Sequence, residues 1–278
     1  MRLFADDCVV YRKIESAEDS TILQHDLDTL FTWQNTWQMC FNVDKCFAVN
    51  FTQARKPETI TYKLGHSTLA EVKSHTYLGV HLSNDLKWGN HIAHVTSKAK
   101  QVLGMVRRNL HPCPTKLKST AYKTLIRPHL EFSATVWDPY TKEDIKKVES
   151  VQRKAARFVC RDYGRRSSVT DMIERLEWEP LQTRRKISRM AMLHKIQNGQ
   201  VAIPAQKFLR PVTRPTRHHN SKAFQRYQTK KDCYKNTFFP RSIAEWNTLP
   251  ENLINIVNTE TLKEALSTHY KQERNLSN

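Results

Sequence analysis

The spacing of apolar positions divides the chain into a front part with mixed patterns and a rear part with helical patterns. Residues 8–11 form a continuous apolar, β-prone run, which predicts a strand buried on both faces with residues 1–4 as its hairpin partner. Apolar residues at helical spacing over residues 20–37 predict a helix with Asp19 or Ser20 as its N-cap. Short β-like runs follow at residues 46–51, 60–64 and 76–82. Up to about residue 83 the pattern therefore predicts an α+β arrangement.

After Trp88 the apolar positions follow the helical period. Four helices are predicted, at residues 92–110, at 115–137 in spite of Pro128, at 142–162 and at 181–196. Residues 204–231 are rich in Pro, Arg, Lys and His, which predicts an extended and partly flexible boundary. Residues 238–253 and an amphipathic helix beyond Glu260 are expected to pack back on the bundle. The predicted domains are residues 1–83, 84–200 and 201–278.

The distribution of charge separates the same two parts of the chain. The whole sequence has 45 Lys and Arg against 27 Asp and Glu, a net charge of +18. Residues 1–90 hold 9 basic and 11 acidic residues, a net charge of −2, so residues 91–278 hold 36 and 16, a net charge of +20. A strongly basic region favours a polyanionic partner, and this asymmetry assigns that partner to the rear part.

Cationic segments in the rear part are the candidate polyanion contacts. In the helix predicted at residues 142–162, Lys146, Arg153, Arg157 and Arg161 lie opposite the apolar face. Arg184, Arg185 and residues 210–217 add further positive charge, and all of these could neutralise phosphates without reading bases. The alternative for each stripe is an ordinary solvated helix face. Aromatic residues such as Tyr163, Trp178, Phe224 and Tyr227 could stack on unpaired bases or could be buried in the core.

The cysteines and the hydropathy of the sequence limit the cellular compartments in which the protein is expected. The six cysteines are scattered without C-x-x-C pairs, which argues against a disulfide framework and against a zinc ribbon. His91 with His94, and His218 with His219, lack a second ligand pair at zinc-like spacing. No apolar run approaches the roughly 20 residues that span a bilayer. An intracellular protein, nuclear or cytoplasmic, neither secreted nor membrane-spanning, is therefore expected.

Two adjacent carboxylates, Asp6 and Asp7, lie at the end of an apolar strand. Adjacent side chains in a regular strand point to opposite faces, so both could address one metal only from a tight turn. A hairpin with both acids at its tip would present oxygen ligands that suit Mg²⁺. The alternative is a polar turn without chemistry.

Several sequence boxes follow this acidic pair. They are Trp33 and Trp37 before Phe41-Asn42-Val43-Asp44-Lys45, His75-Thr76-Tyr77-Leu78-Gly79-Val80, Leu86-Lys87-Trp88, Arg127-Pro128-His129-Leu130-Glu131-Phe132, Val136-Trp137-Asp138-Pro139-Tyr140, residues 149–158, and residues 238–250. Together with Phe4-Ala5-Asp6-Asp7, their order resembles the reverse transcriptases of non-LTR retrotransposons of the LINE class, Jockey-like elements among them. The resemblance covers nearly the whole chain, and the order of the boxes is more specific than any single box.

The resemblance implies a fold and a set of roles. The fold would be a truncated polymerase palm of hairpin, helix and short antiparallel strands, then a mainly helical thumb-like bundle and a basic C-terminal extension. Asp6 would be the principal metal-binding carboxylate, with Asp7 as a weaker partner. Lys45 would assist the pyrophosphate leaving group, although it could equally be a surface lysine. Leu78 and Gly79 would form the primer grip, although Gly79 could be only a strand-end turn.

The resemblance also implies partners and a departure from the family. The implied cofactor is Mg²⁺ or Mn²⁺, and the implied partners are an RNA template and a DNA primer. Polymerases of this family carry another essential aspartate and the fingers before the A-D-D box, and only three residues precede Phe4 here. Two-metal phosphoryl transfer requires enough carboxylates to hold both ions. We therefore expect a C-terminal polymerase fragment that is inactive alone and could need the N-terminal half as a partner.

Two other interpretations remain open at this point. The chain could be a freestanding relic that binds RNA or DNA without sequence preference through its cationic helices. It could also be a decayed coding sequence whose product barely folds.

Overall fold

A computed structural model describes residues 1–52, 54, 60–213 and 220–277. The chain forms two compact units, Met1–Lys87 and Trp88–Asn278. The first unit combines one long helix with short strands, and the second is helical, which agrees with an α+β chain. The assignment of these units to a palm, a thumb and a C-terminal extension stays a prediction.

The first unit contains one helix and eight short strands among its described residues. In chain order they are β1 (Arg2–Phe4), β2 (Asp7–Val9), α1 (Ala17–Trp37), a 3-10 turn (Val43–Lys45), β3 (Phe47–Ala48), β4 (Lys63–Leu64), β5 (Ser67–Thr68), β6 (Ala70–Glu71), β7 (Ser74–Tyr77) and β8 (Val80–Ser83). Within the described part, the strands pair two by two: β1 with β2, β4 with β5 and β7 with β8 are antiparallel, and β3 with β6 is parallel.

The hairpin at the start of the chain forms as the apolar pattern predicts. Strands β1 and β2 pair in the register Phe4 opposite Asp7. The expected burial on both faces is wrong: Cys8 and Val9 are half-buried, and Leu3 and Phe4 are more than half exposed. In the described residues no third strand joins this ladder, so it remains a two-stranded hairpin.

Helix α1 begins earlier than its apolar stripe suggests. Its N-cap is Ser16, whose side chain accepts from the Asp19 backbone, while the Asp19 carboxylate accepts from the Ser16 backbone. This reciprocal capping box fixes the start at Ala17 and makes Asp19 an internal residue of the first turn, not the cap. Hydrogen bonds from the Glu15 and Ser16 backbone and from Arg12 hold the pKa of Asp19 below its usual range.

A tight contact joins α1 to the β4–β5 hairpin. The Gln24 side chain donates to the Lys63 carbonyl and accepts from the Lys63 amide, at 3.0 and 2.9 Å. Gly65, in the turn between the two strands, has a φ of +60°, and a Cβ there would lie 2.3 Å from the Phe31 ring. Only glycine therefore allows this approach of the turn to the helix.

Gly65→Ala is expected to destabilise the first unit by about 2 kcal/mol or more, because a left-handed backbone and an overpacked contact each cost about 1–2 kcal/mol for alanine. Hydrogen exchange of the α1 amides should accelerate. Gly89→Ala, at a position with open space around it, is the matched control and should leave exchange unchanged. Equal exchange rates in both variants would show that the Phe31 contact does not hold the helix.

The second unit is built from helices of very different length. Its elements are α2 (Gly89–Asn109), α3 (Thr115–Ala121), a π-helical turn (Tyr122–Ile126), α4 (Arg127–Glu131), α5 (Ala134–Trp137), α6 (Lys142–Cys160), α7 (Val169–Arg175), α8 (Leu181–Gln197), α9 (Ala205–Phe208), α10 (Asp232–Lys235), α11 (Phe238–Trp246), α12 (Glu251–Ile254) and α13 (Thr259–Ser277). Among the described residues, every helix is too short or too polar to cross a bilayer.

The single helix predicted over residues 115–137 is wrong, because it is interrupted twice. Pro128 has no amide hydrogen and crowds the preceding turn, and the chain widens into the π-helical turn just before it. Phe132 then leaves the helical conformation, and Ser133 adopts a left-handed one with a φ of +51°. The indole of Trp137 donates to the Phe132 carbonyl at 2.8 Å and so fixes the break.

Two clusters of buried apolar side chains hold the second unit together. One joins α2 through α7, with Trp137, Val148, Val151 and Val159 fully buried. The other joins α8, α11, α12 and α13 around Trp246. Helix α13 packs along α8, which confirms that the C-terminal segment folds back on the bundle.

Residues 204–231 are only in part extended. They contain the short helix α9, and Pro211 pairs with Phe224, whose side chain is buried in the second cluster. Residues 214–219, which include His218, His219 and part of the predicted cationic segment, lie outside the described residues.

Candidate functional site

The tip of the β1–β2 hairpin presents the two adjacent carboxylates. Ala5 and Asp6 form its two-residue turn, Ala5 with a φ of +50°, and Asp7 is the first residue of β2. Both carboxylates are exposed to solvent. Both acids could face one ligand only from a turn, and the hairpin supplies that turn.

The hairpin offers two oxygen-donor side chains for a metal ion. Among the described residues, no group of three or more His, Cys, Asp and Glu side chains comes together as a metal site. Two carboxylates are too few to hold the two divalent ions of a phosphoryl-transfer site. The donor set in this part of the chain does not by itself fit the pair of ions.

Lys45 ends the 3-10 turn Val43–Lys45, and its side chain is exposed. The following residue, Cys46, is half-buried, and its thiol pKa is raised by burial and by the nearby Cys8. Cys8 belongs to β2, so the thiol that follows the Lys45 turn lies near a strand of the acidic hairpin. Sequence spacing alone does not predict this approach.

Leu78 and Gly79 form the two-residue turn between β7 and β8. Tyr77 pairs with Val80 across it, and the φ values of Leu78 and Gly79 are +47° and +77°. This geometry corrects the single strand predicted over residues 76–82, because a turn with two positive φ values reverses the chain there. The turn places the backbone of both residues at the tip of a hairpin.

In the cationic stripe predicted along α6, Lys146 and Arg153 are exposed, whereas Arg157 and Arg161 bind carbonyls of the chain itself. Arg157 donates to the carbonyls of Asp162 and Gly164, at 3.4 and 3.1 Å. Arg161 donates to three successive carbonyls of the loop after α2, those of residues 111, 112 and 113, at 2.8–3.2 Å.

Arg184 and Arg185 also bind groups of this chain. Arg184 forms an ion pair with Glu131 and lies 3.4 Å from a carboxylate oxygen of Glu179. Arg185 is 1% exposed, and its Nε donates to Asp138 at 2.8 Å. Four of the five arginines predicted to bind nucleic acid are therefore engaged with this chain's own carbonyls or carboxylates.

A buried ion-pair network surrounds Asp138, and the sequence reasoning did not find it. The Asp138 carboxylate accepts from Arg185 and Arg189 at 2.8 Å and lies 3.2 Å from Arg241. Glu245 pairs with Arg189 at 2.5 Å. The network ties α8 and α11 to the segment after α5. Asp138 and Glu245 each lie in one of the sequence boxes that resemble the polymerase family. An acid in such a box could have indicated a partner for an arginine.

Comparison with known proteins gives the class to which the chain is similar. The chain is similar to RNA-directed DNA polymerases of mobile elements, which confirms the resemblance to non-LTR retrotransposon enzymes. It is 29% identical over 163 residues to the polymerase from mobile element jockey of Drosophila funebris, a match that covers 56% of this chain and 17% of that protein. It is 25% identical over 162 residues to the probable polymerase from transposon X-element of Drosophila melanogaster, covering 56% and 18%.

A third relative is the probable polymerase from transposon BS of Drosophila melanogaster, 25% identical over 173 residues, with 60% of this chain and 19% of that protein covered. The matched part of the chain spans less than a fifth of the length of these relatives. No protein-family model and no solved structure matches the chain.

Proposed function

We propose that the first unit is part of the nucleotidyl-transfer site of an RNA-directed DNA polymerase. The observation that carries this proposal is the two-residue hairpin with Asp6 and Asp7 at its tip, in a chain similar to such polymerases. A polar turn without chemistry would need no second carboxylate. It would also need none of the ordered boxes that follow.

Each site residue has a role in this proposal. Asp6 binds a divalent metal ion, Mg²⁺ or Mn²⁺, and Asp7 shapes the site or binds more weakly. Lys45 donates a proton to the departing pyrophosphate, and a cation there also stabilises its developing charge. Lys45 is exposed at the end of its 3-10 turn, so its ammonium group is accessible to a phosphate.

Leu78 and Gly79 form the primer grip in this proposal. A hairpin tip with two positive φ values exposes backbone and lets it approach a ligand closely, which a primer terminus requires. RNA template and DNA primer are the partners in this proposal, because the relatives are RNA-directed DNA polymerases.

The proposed activity needs more carboxylates than the described residues bring together. We propose that these come from an upstream segment of polymerase that bears the fingers and the missing aspartate, in the same polypeptide or as a separate partner. Without it, Asp6 and Asp7 cannot hold both ions, and the chain by itself does not polymerise.

Translation of the genomic DNA upstream of Met1 tests the proposal. An in-frame sequence with a fingers region and a further aspartate on a predicted strand is the expected result. Unrelated sequence with no such region in any frame would overturn the assignment to a polymerase site.

A second candidate function is binding of RNA or DNA by the second unit alone. The observation that favours it is the division of charge, because Met1–Lys87 has a net charge of −2 and the remaining residues have a net charge of +20. In this case the cationic helices neutralise phosphates, and the acidic hairpin has no catalytic role.

Titration with a single-stranded oligonucleotide at several salt concentrations should show steep salt dependence. We expect the logarithm of the association constant, plotted against the logarithm of the salt concentration, to fall with a slope of about −3. This slope corresponds to about four or five phosphate contacts with a single strand. A peptide nucleic acid of the same base sequence, whose backbone is uncharged, is the matched control and should not bind. Binding that ignores salt, or equal binding of the uncharged ligand, would contradict the candidate function.

A further inference from the structure

We propose that the loop between α6 and α7, with the adjoining end of α2 and start of α3, is a binding surface for single-stranded nucleic acid. We name it the α6–α7 surface, and its residues are Arg107, Arg108, Lys116, Tyr163, Arg165 and Arg166. All six side chains are exposed. The proposal rests on the nucleic-acid binding proposed for the second unit and assigns it to a place other than the cationic stripe of α6.

The loop is held in one conformation by hydrogen bonds that point inward. Arg157 donates to the carbonyls of Asp162 and Gly164. The Asp162 carboxylate accepts from the Gly164 amide at 2.9 Å and from the Ser167 hydroxyl at 2.6 Å. These contacts use the acid and the arginine at the base of the loop. Arg165 and Arg166 remain at its exposed tip.

A second set of contacts joins this loop to the basic segment after α2. Arg161 binds the carbonyls of residues 111–113, which lie between the two basic pairs of that segment. Residues 107–118 contain four Lys and Arg, of which Lys118 is buried, and no acid, and residues 161–168 contain three Arg and one acid. The Asp162 carboxylate accepts hydrogen bonds inside the loop, from the Gly164 amide and the Ser167 hydroxyl. The exposed side of the loop therefore carries mainly positive charge.

An exposed aromatic ring lies within this charged surface. Tyr163 is 56% exposed, and the Arg107 guanidinium lies 5.7 Å from its ring centre. An aromatic face beside an arginine can stack on an unpaired base, whereas the bases of a duplex are stacked on each other and unavailable. This ring favours a single strand over a duplex or an acidic protein, neither of which requires an exposed aromatic side chain.

The first arm of the experiment removes charge. Arg165→Gln/Arg166→Gln should weaken binding of a 12-nucleotide single strand by about 10-fold at 0.1 M salt and reduce the salt slope by about 1.4, as expected for two lost phosphate contacts. The matched control is Lys230→Gln/Lys231→Gln, which removes two adjacent exposed charges from the segment just before α10, outside the α6–α7 surface. The control should bind as the unchanged protein does.

The second arm removes the ring. Tyr163→Ala should weaken single-strand binding by about 10-fold without changing the salt slope, and Tyr163→Phe should restore it. Both Tyr163 variants should bind a duplex of the same length as strongly as the protein without substitutions does. The same should hold for binding to heparin, which has no bases. Because the ring is exposed and outside the core clusters, thermal unfolding should be unchanged in each variant.

The outcomes separate the two proposals. If the protein without substitutions binds no nucleic acid, the proposed nucleic-acid function itself is overturned. Salt-dependent binding that is equally strong in the Arg165/Arg166 variant overturns only the location. Equal weakening of single strand, duplex and heparin by Tyr163→Ala overturns the choice of a single strand. If the protein binds polyglutamate more strongly than the oligonucleotide, and if this binding also weakens in the Arg165/Arg166 variant, the partner is an acidic protein. That result would also overturn the choice of a single strand.

Discussion

Asp138→Asn is expected to destabilise the second unit by about 3–5 kcal/mol, the usual cost of breaking a buried ion pair from one side. The carboxylate is 7% exposed and is shared by Arg185, Arg189 and Arg241. An amide of the same shape keeps the volume but removes the negative charge. Arg185, which is 1% exposed, then has no compensating carboxylate at its Nε.

Urea unfolding followed by far-ultraviolet circular dichroism measures this loss, because most helices belong to the second unit. Glu143→Gln is the matched control, since Glu143 pairs with Lys147 on the exposed surface of α6, where such pairs add little. Its unfolding midpoint should not move. A loss below about 1 kcal/mol for Asp138→Asn would mean that the network does not hold α8 and α11 in place.

Helices with a complete apolar stripe and clear caps were predictable from the sequence. The third predicted helix, residues 142–162, is found at Lys142–Cys160, and the fourth, residues 181–196, at Leu181–Gln197. Thr141 caps α6 through the Asp144 amide, and Pro180 precedes α8. Local signals of this kind act within a few residues, so the sequence pattern contains them.

Breaks that depend on backbone strain were harder to predict. The interruption around Pro128 is a competition between a strong apolar stripe and a missing amide hydrogen, and the stripe alone predicts an unbroken helix. Gly79 indicated a strand-end turn, but the reversal at Leu78 was hidden in the β-like run, because leucine is uncommon at a positive φ and gives no turn signal.

The candidate site was predictable in its local part only. The acidic hairpin follows from the short apolar runs around Asp6 and Asp7. The partners of Arg161 and Arg185 lie about 50 residues away along the chain, so a helical stripe cannot reveal that these side chains are engaged. The same is true of Tyr163 and Arg107, which the fold brings together across α6 and α2.

The chain alone is expected to extend no primer, and this is the largest effect that we predict. The described residues bring two carboxylates to the hairpin tip, whereas two-metal transfer requires a further ligand. Joined to the polypeptide encoded upstream in frame with Met1, the chain should extend a DNA primer on an RNA template. In that longer protein, Asp6→Asn should lower the rate on the order of 10³-fold, as expected when one group that stabilises transition-state charge is removed.

The matched control for this variant is Asp26→Asn, which removes an exposed carboxylate from α1 in the same unit. It should leave the rate of extension unchanged. A similar loss in both variants would indicate a general effect of charge on the first unit and would contradict a specific role for Asp6.

Primer extension by the chain alone and by the longer polypeptide, each with Mg²⁺ and with Mn²⁺, is the most direct test of the proposal that this is part of a polymerase. We predict synthesis only by the longer polypeptide, and loss of that synthesis with Asp6→Asn. Robust synthesis by the chain alone would contradict the incomplete site. An inactive longer polypeptide that is folded and binds template and primer would contradict the polymerase assignment itself.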